Sequence, residues 1–200
     1  MKQIDTKFIY LTGVFIGLLI ICNVIASKIM TIWIFTVPTA IWAYSLTFLV
    51  SDVICDVYGR ERAKQVVLAG FVASLVAIIL VIVAIWSPPA VFYNDQKAFE
   101  TVLGLMPRIV FASMVAYLIS QLHDVYVFDF WRRRTGGRHL WFRNNASTMT
   151  SQAIDTVVFI ILAFYGMFPV GAMILSHIGL KWIIAICDTP FCYLLVRWCR

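Results

Sequence analysis

A 200-residue chain that is 62% hydrophobic and only 13% charged is excluded from the soluble globular class, because a core of that length cannot hide so much apolar surface. The formal net charge is +6, but the basic residues fall in short connections between apolar runs, which reads as membrane topology and anionic headgroups rather than nucleic-acid binding. The length predicts a single transmembrane domain over residues 1–200, with no room for a sizeable soluble module.

The first apolar run, residues 8–27, is too long for a signal-peptide core and is not followed by a small-residue cleavage site, so it reads as a retained span. Asn23 and Ser27 stand four apart near its outer end, followed by Lys28. The second run covers 31–51, and Asp52 and Asp56 share one helix face just beyond it. The third covers 65–86 and ends at Pro88-Pro89. In the connection that follows, Ala98, Phe99, Val102, Leu103 and Met106 recur at helical spacing, which predicts a short amphipathic helix on the outer surface. The fourth run, 108–128, carries Ser120-Gln121-x-x-Asp124, and the fifth, 150–172, carries Ser151-Gln152-x-x-Asp155. The sixth, 178–197, carries Asp188 before Thr189-Pro190.

A spanning helix needs about 20 mostly apolar residues, so these runs predict an all-α membrane protein of six transmembrane helices. Placing the N and C termini in the cytoplasm puts twelve of the sixteen basic residues inside and leaves Lys28, Lys97, Arg108 and Lys181 outside. Three helices show small residues four apart: Gly13 and Gly17; Ala69, Ala73 and Ala77; Ala112, Ala116 and Ser120. Such stripes predict helix-packing seams, and they would also serve a homo-oligomer. The five cysteines, Cys22, Cys55, Cys187, Cys192 and Cys199, have neither disulfide nor zinc spacing and read as buried free thiols.

Carboxylates inside a bilayer cost roughly 2.5–3.5 kcal/mol each at mid-span, so they face the bundle interior and normally serve a function. The candidate substrate-binding residues are Asn23, Ser27, Asp52, Gln121, Asp124, Asn145, Gln152, Asp155 and Asp188. Gln and Asp three apart share a face on each of the fourth and fifth helices, at similar expected depth toward the inner side. A carboxylate accepts two neighbouring N–H groups, an amide bonds a carbonyl and an N–H together, and aromatic faces stack on flat rings. Trp33, Trp42, Phe48, Tyr117, Trp141 and Trp182 are candidates for the stacking. The set suits a planar heterocycle, and a buried carboxylate could also take a coupling proton. No cofactor is expected. No H-E-x-x-H, G-x-S-x-G or Walker A string is present, and His123, His139 and His177 lack ligand spacing, so an enzyme is not expected.

Longer strings are more specific. Ser51-Asp52-Val53-Ile54-Cys55-Asp56-Val57-Tyr58-Gly59-Arg60 closes the second run. Gln121-Leu122-His123-Asp124-Val125-Tyr126-Val127-Phe128 precedes Arg134-Thr135-Gly136-Gly137-Arg138-His139-Leu140-Trp141-Phe142-Arg143-Asn144-Asn145. Ser151-Gln152-Ala153-Ile154-Asp155-Thr156 follows. Together they resemble the queuosine-precursor transporter family (YhhQ type). The resemblance implies import of 7-cyano-7-deazaguanine, or its aminomethyl relative, across the bacterial inner membrane for tRNA modification. It also implies a bundle similar to the substrate-binding subunits of energy-coupling-factor vitamin transporters, acting without their ATPase partner. Two other readings fit the same residues: a subunit that needs such an ATPase, and a membrane enzyme acting on lipid headgroups near the 132–143 arginine cluster.

Overall fold

A computed structural model describes residues 5–134 and 140–199; the side chains of residues 60, 121–122, 124–134, 140–148, 185–193, 196 and 198–199 fall outside the description. The elements in chain order are α1 (Thr6–Ile25), β1 (Ile29–Ile32), β2 (Phe35–Pro38), α2 (Ile41–Tyr58), α3 (Arg60–Trp86), α4 (Gln96–Leu103), α5 (Met106–Arg134), α6 (Leu140–Phe164) and α7 (Val170–Cys199). Among the described residues, four stretches are long and apolar enough to cross a membrane: Thr6–Ile25, Ile41–Tyr58, Glu61–Trp86 and Gln96–Ser120. Shorter apolar stretches lie within the last two helices, Met149–Phe164 and Val170–Ile184. At 1.5 Å per residue the 25 residues of α6 and the 30 of α7 extend about 38 and 45 Å, beyond the roughly 30 Å hydrocarbon core.

Local chemistry sets the ends of these helices. The Asp5 side chain caps α1 by accepting from the Lys7 backbone N–H at 3.0 Å. Its other oxygen accepts from the Tyr58 hydroxyl at 2.7 Å, which ties the start of α1 to the end of α2. Arg62 lies over the Phe8 and Tyr58 rings beside this tie. Gly59, at φ +87°, is the joint between α2 and α3 and takes a left-handed conformation that L side chains rarely adopt. Gly166, at φ +83°, turns the chain after α6, and Pro169 stands just ahead of α7.

The helix bounds differ from the hydropathy reading in three places. Residues 29–38, which include the start of the expected second run, form an antiparallel hairpin with Ile29 opposite Pro38 and Ile32 opposite Phe35. Ile29, Thr31, Ile32, Ile34, Thr36 and Val37 are β-branched, and Pro38 cannot sit inside a helix; hydropathy is blind to both facts. Trp33, at φ +54°, occupies the two-residue turn, which such tight hairpins require. α6 begins at Leu140 rather than 150. α6 then ends at Phe164 and α7 begins at Val170, which puts residues 170–177 in α7 instead of in the expected fifth run and outer connection. α4 occupies the place expected for the amphipathic surface helix.

Packing builds three clusters. Leu11 and Phe15 of α1 meet Val50, Val53 and Ile54 of α2 and Val66 of α3. Ile109 and Ala112 of α5 meet Ile160, Ala163 and Phe164 of α6, with Ala26 and Met173. Val37 of the hairpin meets Ile41 and Leu180. The Ala112, Ala116 and Ser120 stripe is buried, as expected of a seam. The other two stripes are displaced. Gly13 and Gly17 are exposed with open space around them, and the buried line of α3 is Val66, Gly70 and Ser74, one residue on from Ala69 and Ala73. A Cβ at Gly70 would come within 2.8 Å of Leu19 and 3.1 Å of Phe15, so this glycine sets how closely α1 and α3 approach. The outward face of α3 exposes Leu68, Val72, Leu75, Val76, Ile79, Leu80 and Val83, an apolar surface suited to lipid.

α5 and α6 run antiparallel. Arg108 reaches Leu162 and Tyr165 near one end, and His123 reaches Ser151 further along, so numbers rise on one helix as they fall on the other. Arg108 donates from Nε to the Leu162 carbonyl and from Nη2 to the Tyr165 carbonyl, both at 2.8 Å, and caps the last turn of α6. Arg108→Lys cannot reproduce this fork and should destabilise the protein by about 1–3 kcal/mol, read as a lowered unfolding temperature in detergent. The Tyr58 hydroxyl and the Lys7 N–H hold the Asp5 carboxyl below the usual carboxylate range. A depressed carboxylate stabilises the fold above its unfolded pKa, and that gain is lost as pH falls through the folded value. Asp5→Asn should therefore flatten this acid limb of a stability-versus-pH profile.

Candidate functional site

The hairpin and five helices line a small, partly open cavity. α1 contributes Leu19, Cys22, Asn23 and Ala26, and the end of the hairpin and start of α2 contribute Pro38, Ala40, Ile41 and Tyr44. α5 adds Ile109, Ser113 and Ala116, α6 adds Asp155 and Phe159, and α7 adds His177 and Lys181. These positions fall in the last part of α1, the first turn of α2 and the first half of α7. The cavity therefore lies toward the end of the bundle away from both termini.

Its polar centre is Asp155. Oδ2 accepts from the Lys181 ammonium at 3.3 Å and from the Tyr44 hydroxyl at 3.2 Å. Lys181 also donates to Thr156 Oγ1 at 3.0 Å, and its Nζ stands 4.8 Å from the Tyr44 ring centroid. The Thr156 hydroxyl in turn donates to the Gln152 carbonyl at 2.9 Å. The pair is largely buried, with side-chain exposures of 12% for Lys181 and 17% for Asp155. Oδ1 of Asp155 makes no hydrogen bond among the described residues, which leaves it free to accept from a ligand.

The sequence candidates divide. Asp155 is central. Asn23 lines the cavity but donates to Ser74 Oγ at 3.3 Å, so it also bonds α1 to α3. Ser27 donates to the Val24 carbonyl at 2.8 Å and closes the end of α1, away from the wall. Asp52 is exposed near the opposite end of α2, and the half-buried Gln152 does not reach the cavity. The side chains of Gln121, Asp124, Asn145 and Asp188 lie outside the described residues. Asp155 is fifteen residues into α6 rather than in its first turns, because the helix extends ten residues before the apolar run. None of the described stacking candidates lines the cavity: Trp33, Trp42, Phe48 and Trp182 are exposed, and Tyr117 packs edge-on against Phe71, while the Trp141 side chain lies outside the described residues.

Sequence reasoning missed Lys181, His177, Tyr44 and Phe159. Lys181 was counted on the outer side of the membrane, yet it lies well inside α7 on the cavity wall. The signal was present: Lys181 sits within an apolar run that begins at Val170, so the rule that singled out the aspartates applies to it. Tyr44 and Phe159 carry no such signal among so many aromatics.

Long apolar helices packed around a cavity that holds a largely buried ion pair define a multi-pass helical membrane protein. The sequence model of the family described as "Putative vitamin uptake transporter" matches residues 38–195, most of the chain, and the chain belongs to that family. It is 31% identical over 185 residues to a "Probable queuosine precursor transporter" of Bacillus subtilis, covering 90% of this chain and 81% of that one. It is 25% identical over 128 residues to the "Queuosine precursor transporter" of Escherichia coli, covering 62% of this chain and 53% of that one. A "Probable queuosine precursor transporter" of Haemophilus influenzae is 30% identical over 128 residues, covering 61% of this chain and 49% of that one. No solved structure matches the chain.

Removing one partner of a buried ion pair strands the other. Asp155→Asn or Lys181→Met alone should destabilise by about 3–5 kcal/mol, and the double variant by clearly less than the sum. Thermal unfolding of the four proteins in one detergent measures the coupling, and strictly additive losses would refute the pairing.

Proposed function

We propose that this chain imports a queuosine precursor, a 7-deazaguanine, across the bacterial inner membrane. The observation that carries the reading is the Asp155–Lys181–Tyr44 cluster on the wall of an otherwise mostly apolar cavity, in a chain whose relatives are named for that transport. The carboxylate oxygen left open on Asp155 is the acceptor that the N–H and amine edge of a deazaguanine requires. The Tyr44 and Phe159 rings supply flat apolar surface for a bicyclic base. Lys181 and Tyr44 hold Asp155 in place, so the acceptor is oriented before the ligand arrives.

In this reading the chain makes six spans with both termini in the cytoplasm. The cavity, lying away from the termini, then opens toward the periplasm. The position of Lys181 supports the orientation, since one of the four basic residues first assigned to the outside belongs to the bundle interior. The chain works without an ATPase partner, and a proton is the proposed coupling ion.

Uptake of labelled 7-cyano-7-deazaguanine into proteoliposomes holding only this protein should be saturable and should rise with an inward proton gradient. Asp155→Asn should lower it at least tenfold, about 1.4 kcal/mol of lost recognition, with the protein still in the membrane. Uptake that appears only when an ATPase module is added would sink the stand-alone mechanism, and full uptake by Asp155→Asn would sink the site.

A further inference from the structure

His177 is a second polar feature of the cavity, and the Asp155 cluster does not use it. It is 5% exposed and lines the wall, yet neither Nδ1 nor Nε2 has a hydrogen-bond partner among the described residues. Four polar residues of the wall bond elsewhere: Asn23 to Ser74, Tyr44 and Lys181 to Asp155, and Cys22 to the Ala40 carbonyl; Ser113 also lines it. Buried polar groups are almost always paired, so a wall imidazole with two unpartnered nitrogens calls for a partner from outside the described residues. His177 and Lys181 lie four apart on α7, so they share one face about 6 Å apart along the axis. That offset, between the imidazole and the charged cluster, suits the two ends of a flat bicyclic ring.

We propose that His177 is a ligand-contacting residue that sets specificity, binding the heterocycle one helical turn away from the edge held by Asp155. A neutral imidazole presents one N–H donor and one bare nitrogen acceptor, so it recognises an uncharged ring carrying an acceptor or an N–H at that end. The nitrile and pyrrole N–H of 7-cyano-7-deazaguanine are groups of that kind. The inference deepens the transport reading and rests on it for the identity of the ligand.

The test is a binding titration on purified protein with 7-cyano-7-deazaguanine, 7-aminomethyl-7-deazaguanine and guanine, using wild type, His177→Gln and His177→Phe. The imidazole ¹⁵N signals of the wild type are followed in parallel; the chain has three histidines, so the variants assign the signal. His177→Phe should weaken binding about tenfold or more, and His177→Gln, which keeps a donor and an acceptor, should recover part of that loss. The His177 ring signals should shift on saturation. If His177→Phe does not fold, the wild-type shifts and the glutamine variant still decide. Tight deazaguanine binding with unmoved His177 signals and unchanged variant affinities overturns the role of His177 and leaves the substrate standing. Binding of guanine alone, weakened by the His177 variants, upholds His177 and overturns the deazaguanine. A wild type that binds none of the three overturns both.

Discussion

The Asp155–Lys181 pair is the constraint on which the site depends. It joins α6 to α7, and through the Tyr44 hydroxyl it brings in α2, so one buried charge contact fixes three of the helices around the cavity. Two charges leave water at considerable cost, and their attraction offsets that cost only when further hydrogen bonds satisfy them. Thr156 and Tyr44 supply those bonds. Such a pair adds little to net stability compared with apolar packing; what it fixes is geometry. A carboxylate held on one oxygen by two donors keeps the other in a defined place.

The rest of the fold supports that placement. Arg108 caps the end of α6, roughly two to three turns beyond Asp155, and pins the helix to α5, while the seam of Ala112 and Ala116 lets the two backbones run close. The hairpin packs Val37 against Ile41 and Leu180, and the Phe35 ring lies 3.2 Å from where a Cβ on Gly179 would be. A larger residue at Gly179 would push the hairpin away from α7, two positions from both His177 and Lys181. At the other end of the bundle, Asp5, Tyr58 and Arg62 tie α1 to α2, far from the cavity.

Much of the helical scaffold was legible because long apolar runs have few other uses, and Asp155 was legible because a carboxylate in such a run is costly. Register and partners were not. Hydropathy could not separate the β-branched hairpin strand from the helix after it, nor show that α6 starts ten residues before its apolar stretch. That shift moved Asp155 from the expected inner turns to the opposite half of the bundle. Lys181 was hidden by a boundary error: with residues 170–177 left out of the last helix, a buried lysine near its expected start looked like a surface one. Its pairing with Asp155, 26 positions away in sequence, follows only from how α6 and α7 pack.

The pairing also has an electrical consequence. Asp155 and Lys181 carry the two formal charges on the described cavity wall, and they cancel. Moving one elementary charge across a membrane potential is worth about 2.3 kcal/mol per 100 mV. On the proposed reading, an uncharged base entering a wall of zero net charge carries no charge of its own into the field. A cationic ligand of the same shape would meet the Lys181 ammonium without a spare carboxylate to answer it, and its binding would feel the potential. A self-neutralised site of this kind filters solutes by their charge as well as by their outline.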